Sequence, residues 1–255
     1  MNPMLVLFRK ELGIAKRPTY WASCLLMGAL MIWIYAHTPI ETIKTIAQTS
    51  PQVANYLATS WPQMFALLQP LWLFLLTWLL LSSEVFTMEK TDGRLEMLLT
   101  TPLHLREVWV AKCLALLVLV YPYVLLVSCL VFGLQSYVWP VQLGLDLHIS
   151  TVTLLVAICV GPLLAFGIGC LLGLLALMVS NANVLQSISF FVTFVVGFGG
   201  NYVLSALQEQ ATSNLSELIS WPVVGVYLAI ALALWVLVLW LLRRLDKDHV
   251  VRHMA

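Results

Sequence analysis

The sequence predicts an all-α integral membrane protein with six transmembrane helices and a short amphipathic helix in front of them. Of its 255 residues, 61% are hydrophobic and only 10% are charged. The mean hydropathy is +0.94, and a soluble domain of this size has no core large enough to bury so much apolar side chain. The apolar residues also form six long runs, and a bilayer core about 30 Å thick needs roughly 20 such residues per helix.

The six predicted spans are 19–36, 64–83, 108–132, 151–179, 184–203 and 223–242. The fourth contains Gly161-Pro162, and we expect a bend or an interfacial first turn there because proline lacks an amide hydrogen and clashes with the preceding turn. The whole chain, 1–255, is predicted to be one transmembrane domain. It comprises an interfacial helix (1–18), a six-span bundle (19–242) and a tail (243–255).

The amino-terminal residues predict an amphipathic helix that lies on the membrane. Its apolar face is expected to contain Met4, Leu5, Phe8, Leu12 and Ala15. A signal peptide is the alternative, but the apolar run that follows is longer than a typical signal core and no small-residue cleavage pattern follows it.

The basic residues predict the orientation. All of them except Lys44 fall in three clusters: Arg9, Lys10, Lys16 and Arg17; Lys90, Arg94, Arg106 and Lys112; and Arg243, Arg244, Lys247 and Arg252. The positive-inside rule then places both termini and the loop 84–107 in the cytoplasm.

That cytoplasmic loop is predicted to contain a short helix with one apolar face. Leu95, Leu98, Leu99 and Pro102 recur at i, i+3, i+4 and i+7, and Glu96 falls in the first turn, where a carboxylate favours a helix start. Thr101 before Pro102 is expected to end this helix, and the same pair is expected to begin the next one.

No predicted span has a charged side chain in its middle, whereas ion-coupled transporters generally bury charged ones there. Lys112, near the end of the third span, is expected to reach the interface. Helix-to-helix hydrogen bonds, or alternatively contact with a substrate, are expected for Gln69, Thr77, Ser128, Gln186, Ser187, Ser189 and Thr193. Ala165, Gly169 and Gly173 predict a close-packed helix face.

No enzyme chemistry is predicted for this chain. It has no phosphate-binding loop and no zinc-protease or serine-hydrolase motif, so a transport cycle would need energy from another polypeptide. The five cysteines all lie in predicted spans and the histidines are scattered, so neither disulfides nor a metal site is expected. There is no basic face for nucleic acid.

The charged loop resembles a known family. The residues that carry the resemblance are Glu84, Glu89, Gly93, Leu95, Glu96, Leu98, Leu99, Pro102, Glu107 and Lys112. This series is similar to the pattern between the second and third spans of type-2 ATP-binding-cassette (ABC) permeases, the membrane subunits of ABC-2 exporters. Two positions depart from that pattern: Arg94 stands where a small hydroxyl residue is frequent, and Lys90 stands where arginine is frequent.

The resemblance implies that Leu95–Thr101 is a coupling helix seated on a separate ABC ATPase subunit. It implies two ATPases and two permeases per transporter, with a homodimer preferred and a heterodimer left open. ATP and Mg²⁺ would bind the ATPase, so this chain would need no cofactor. It further implies a re-entrant element at 204–221 and a location in the plasma membrane of a bacterium or archaeon.

The resemblance also implies a substrate path between the second and fifth spans, with Gln69, Trp72, Thr193, Phe194 and Phe198 as candidate residues. An amphiphile, a peptide or a drug would suit these side chains, and so would helix packing. The expected function is that of an exporter permease. The alternatives are an ABC permease that does mechanical or assembly work, an ion-coupled transporter and a stand-alone membrane enzyme.

Overall fold

The computed structural model describes residues 3–36, 45, 51–82, 85–86, 104–138, 141, 149–178, 187–188, 190–195 and 221–244. The secondary structure over these residues is helical, as predicted. The helices are α1 (Pro3–Leu12), α2 (Pro18–Ala36), α3 (Pro51–Ser82), α4 (Leu105–Val138), α5 (Thr151–Leu155), α6 (Gly161–Met178) and α7 (Trp221–Arg244). A 3-10 turn, Gly13–Lys16, joins α1 to α2, and a π-helical turn, Val156–Val160, joins α5 to α6.

Three of the described helical segments are long and apolar enough to cross a membrane, as in a multi-pass membrane protein: Leu105–Tyr137, Thr151–Leu177 and Val224–Arg244. Two shorter apolar stretches, Pro18–Trp33 and Ala66–Ser82, correspond to the first and second predicted spans. In the fifth predicted span, 184–203, the described residues 187–188 and 190–195 are helical.

Several helix boundaries differ from the predicted ones. The helix α3 begins at Pro51 rather than at residue 64, and α4 continues to Val138 rather than ending at residue 132. Hydropathy marks where a chain is apolar enough for lipid, whereas a helix continues as long as its backbone hydrogen bonds continue. The predicted re-entrant element lies outside the described residues except at Trp221, where α7 begins.

A π-helical turn, Val156–Val160, lies immediately before Gly161-Pro162, where the sequence predicts a bend or an interfacial first turn. The Gly161 amide donates to the Val156 carbonyl, a reach of five residues instead of four. Pro162 has no amide to offer the Ile158 carbonyl, and the Tyr121 hydroxyl of α4 donates to that oxygen instead, at 2.9 Å. A side chain from a neighbouring helix therefore replaces the hydrogen bond that proline removes.

The core forms where bulky side chains of α3, and of the residues just after it, meet small residues of α6. A Cβ on Gly169 would lie 2.5 Å from the Trp78 ring, and one on Gly173 would lie 3.1 Å from Phe86. Trp78 also stacks on Phe74, with ring centroids 5.8 Å apart, and meets Phe166 edge-on at 5.6 Å. These contacts confirm the predicted close-packed face on the fourth apolar segment.

Candidate functional site

A buried ammonium group joins three segments at one end of the bundle. The Lys112 Nζ of α4 lies 2.9 Å from the Glu11 carboxylate of α1 and donates to the Val85 carbonyl at 3.0 Å. It also lies 5.8 Å from the centroid of the Phe86 ring. We call these four residues the Lys112 junction. Val85 and Phe86 come just after α3, so the junction links α1, the end of α3 and the start of α4.

The Lys112 junction corrects the expectation that Lys112 reaches out to the interface. Its side chain is 1% exposed and that of Glu11 is 4% exposed. A buried charge is stable only when it is paired and hydrogen-bonded, and here both conditions are met. Removing one partner of such a pair typically costs about 3–5 kcal/mol, because the other charge stays buried without compensation.

Local packing explains why the two charges meet. Leu7 of α1 is buried against Val108 and Ala111 of α4. Glu11 follows Leu7 by four residues and Lys112 follows Val108 by four residues, so each charge lies on the same helix face as the apolar contact, one turn further on. The ion pair therefore extends a hydrophobic contact along the two helices.

The side of α1 that packs against α4 includes residues outside the apolar face predicted to lie on the membrane. Leu7 and Glu11 are buried, whereas Leu5 is exposed and Met4, Phe8 and Leu12 are half-buried. Hydrophobicity alone predicts the apolar face, whereas the charge of Lys112 draws Glu11 inward. Neither Glu11 nor Val85 was singled out in the sequence. One feature of the sequence could have pointed to Glu11, because it is the single acidic residue of α1.

A capping hydrogen bond marks the point where the charged loop ends and α4 begins. The helix α4 begins at Leu105, not at Pro102, and the His104 amide donates to the Glu107 carboxylate at 3.0 Å. This is one half of a capping box, which satisfies an amide that the first turn leaves free. Of the predicted ATPase-coupling residues, only Glu107 is described. The others lie outside the described residues: Glu84, Glu89, Gly93, Leu95, Glu96, Leu98, Leu99 and Pro102.

Contacts bring described members of the three basic clusters to the same end of the bundle. Arg106, two residues after the His104 cap, donates to the Arg243 carbonyl at the end of α7, at 2.6 Å. Arg244 lies 4.0 Å from the Trp240 ring, a cation–π contact typical of a helix end at an interface. Through the Lys112 junction, α1 also lies at this end of the bundle. The arrangement is compatible with the positive-inside prediction, which concerns the side of the membrane.

The candidate path residues lie on both sides of a contact between α3 and residues 190–195. The rings of Trp72 and Phe194 meet edge to face, with centroids 6.3 Å apart. Thr193 is buried, whereas Phe194 is half exposed. The structure therefore brings Trp72 and Phe194 together, while Phe198 lies outside the described residues.

Gln69, one turn before Trp72, has a buried side-chain amide. Its side chain is 3% exposed, and neither its oxygen nor its nitrogen has a hydrogen-bond partner among the described residues. The hydroxyls of Thr77 and Ser128 are in the same situation. The expected helix-to-helix hydrogen bonds are therefore wrong for these three residues, whose burial typically costs about 1–3 kcal/mol each.

Comparison with protein-family models, with curated proteins and with solved structures finds no match. Within the described parts of the chain, no group of three or more His, Cys, Asp or Glu residues is placed to hold a metal ion. Function is therefore inferred from the residues themselves.

Proposed function

We propose that this chain is the membrane permease subunit of an ATP-driven ABC exporter and that it couples to a separate ATPase through the loop 84–107. The observation that carries the proposal is the Lys112 junction. Lys112 binds the carbonyl of Val85, at the start of the loop, and belongs to the helix that begins at Leu105, at the end of the loop. A movement of the loop would therefore be transmitted to α1, α3 and α4 through the Lys112 ammonium group.

The loop itself supports this proposal by its sequence. Leu95, Leu98 and Leu99 form an apolar stripe in a polar segment, and exposed leucines gain stability only when another surface covers them. Because no phosphate-binding loop occurs in this chain, the ATP-hydrolysing surface would belong to a partner. Two permeases and two ATPases would complete the transporter, with a homodimer preferred.

The proposal includes six spans with both termini in the cytoplasm, in a bacterial or archaeal plasma membrane. Three long apolar helical segments and two shorter ones support five of the spans, and the helical residues 190–195 support the remaining one. The substrate path would pass near Trp72 and Phe194, where α3 and the fifth predicted span are in contact. Gln69 would then offer its amide to substrate, which would account for its missing partner.

The test is a double substitution on the apolar stripe, Leu98→Asp with Leu99→Asp. Burying a leucine contributes about 1.5–3 kcal/mol, so the loss of two should reduce ATPase copurification by at least about tenfold. Nucleotide-dependent transport in proteoliposomes should fall with it. Membrane insertion and the amount of purified chain should not change.

The matched control is Met97→Asp with Thr100→Asp, which adds the same charge on the opposite face of the predicted helix. It should leave copurification within about twofold of the wild type. If the wild-type chain brings down no ATPase from its native membrane, the proposed function is wrong. If both double variants retain the ATPase equally, the stripe is not the docking face.

A further inference from the structure

Two thiol groups meet in the core between α4 and α6. Cys113 of α4 is 2% exposed and Cys170 of α6 is 1% exposed. Their side chains are in hydrogen-bond contact with each other, and both belong to the main hydrophobic core. The two cysteines come from different predicted spans, so only the fold brings their sulfur atoms together.

A second contact shows that this pair belongs to a packed helix interface. A Cβ on Gly173 of α6 would lie 3.5 Å from the indole nitrogen of Trp109 in α4. Trp109 precedes Cys113 by four residues and Gly173 follows Cys170 by three, so the two contacts are one turn apart on each helix. The faces of α4 and α6 therefore stay together over a full turn, which holds the two thiols side by side.

Two neighbouring thiols can bind a single metal ion between them. Sulfur ligands select soft metals, and the form that binds is the thiolate. Zinc would need four ligands, whereas no third His, Cys, Asp or Glu joins this pair among the described residues. The pair therefore suits a soft ion that is satisfied by two sulfur ligands.

The apolar surroundings decide which charge that ion should have. A net charge is costly in an apolar core. Two thiolates and a dication form a neutral complex, whereas a monocation such as Cu⁺ would leave one negative charge buried. The nearby ammonium group of Lys112 is already paired with Glu11, so it does not compensate such a charge. A soft dication that takes two sulfur ligands, such as Hg²⁺, meets all of these conditions.

We propose that Cys113 and Cys170 form a two-sulfur binding site for a soft divalent cation such as Hg²⁺, which bridges α4 to α6. Each S–H bond breaks and its proton passes to water, while the electron pair left on each sulfur forms the bond to the metal. One dication enters and two protons leave, so the step needs no oxidant or reductant. The bridge lies next to Lys112 in the sequence and fixes α6 to the helix that carries the Lys112 junction. This site is independent of the proposed export function.

The experiment uses the full chain, purified in a neutral detergent and titrated with HgCl2 in the presence of excess glutathione, which offers single thiols in competition. Two thiols held together should bind Hg²⁺ about 10²–10⁴-fold more tightly than one, because the second bond forms within the same molecule. The wild type should therefore retain a single ion, which native mass spectrometry detects. Its melting temperature should rise, since the ion binds only the folded arrangement of the two helices.

The test variants are Cys113→Ser and Cys170→Ser, each of which removes one of the two sulfur ligands. Each should lower the apparent affinity for Hg²⁺ by at least about 100-fold. Cys113→Ala and Cys170→Ala repeat the test with an apolar side chain, and melting curves without metal verify that each variant is folded. The matched control, Cys129→Ser with Cys159→Ser, replaces two exposed cysteines and should stay within about twofold of the wild type.

Methylmercury chloride provides a chemical control, because its mercury offers one position to sulfur and cannot bridge two thiols. Its affinity should differ by no more than about twofold between the wild type and the single variants, and it should not raise the melting temperature. A single variant that retains Hg²⁺ as firmly as the wild type would overturn the shared site. So would methylmercury that raises the melting temperature as much as Hg²⁺, or an equal loss of Hg²⁺ in the control variant with both exposed cysteines replaced.

Discussion

At the scale of single residues, the Lys112–Glu11 pair should show the energetics of a buried ion pair. Lys112→Met or Glu11→Gln alone should destabilise the protein by about 3–5 kcal/mol, because each leaves one charge buried without its partner. The double variant should recover most of this loss, since two neutral side chains need no compensation. Thermal unfolding of the purified chain measures all three.

Lys16→Met is the matched control for this pair, because Lys16 is exposed and its replacement should change stability by no more than about 0.5 kcal/mol. A double variant as unstable as the two single variants combined would contradict the account, since independent effects add whereas paired charges do not.

Gln69 provides a second test at this scale. Gln69→Leu should stabilise the protein by about 1–3 kcal/mol, because it removes a buried amide that has no hydrogen-bond partner among the described residues. If Gln69 also contacts substrate, transport should fall in the same variant. The control is Gln63→Leu in the same helix, where the amide oxygen lies 3.5 Å from the Thr153 hydroxyl and no gain is expected. Gained stability with unchanged transport would remove Gln69 from the proposed path.

At the scale of elements, the contact between α3 and α6 depends on glycine. Gly169→Ala should destabilise the protein by about 1–3 kcal/mol, because the new Cβ would overlap the buried Trp78 ring. Gly133→Ala in α4 is the matched control, since nothing lies within 4 Å of its Cβ position. It should stabilise the helix by about 0.5–1 kcal/mol. Melting temperatures that shift in the same direction for both variants would argue against the packing account.

The sequence predicts which segments are helical better than it predicts the residues at which the helices begin and end. The apolar runs predicted α2, α7 and the continuous segment from α5 to α6 to within a few residues, because a membrane-length run of Leu, Val and Ala has few other ways to satisfy its backbone. The start of α4 was misplaced because Thr101-Pro102 is a good local start signal. The described cap instead uses Glu107, three residues after His104, to bind the His104 amide.

At the scale of the whole molecule, the topology has a direct test. Thr49→Cys and Thr91→Cys, each placed in a background without the five native cysteines, should react oppositely with an impermeant thiol reagent. The basic clusters predict that residue 49 faces outside and residue 91 faces the cytoplasm. Labelling in intact cells, compared with labelling in inverted vesicles as the control, measures this. Reaction of residue 91 in intact cells would reverse the proposed orientation.

The sequence by itself determined the class of the protein: a helical chain with long apolar segments, basic residues in three clusters and a charged loop between two of those segments. These properties depend on composition and on neighbours along the chain, which the sequence shows directly. Only the tertiary structure decided that Glu11 pairs with Lys112, that Gln69 lacks a partner among the described residues and that Trp78 lies against Gly169. Each of these depends on residues about a hundred positions apart or on the absence of a neighbour in space. Local periodicity contains no information about either, because the free energy of a buried polar group is set by what surrounds it after folding.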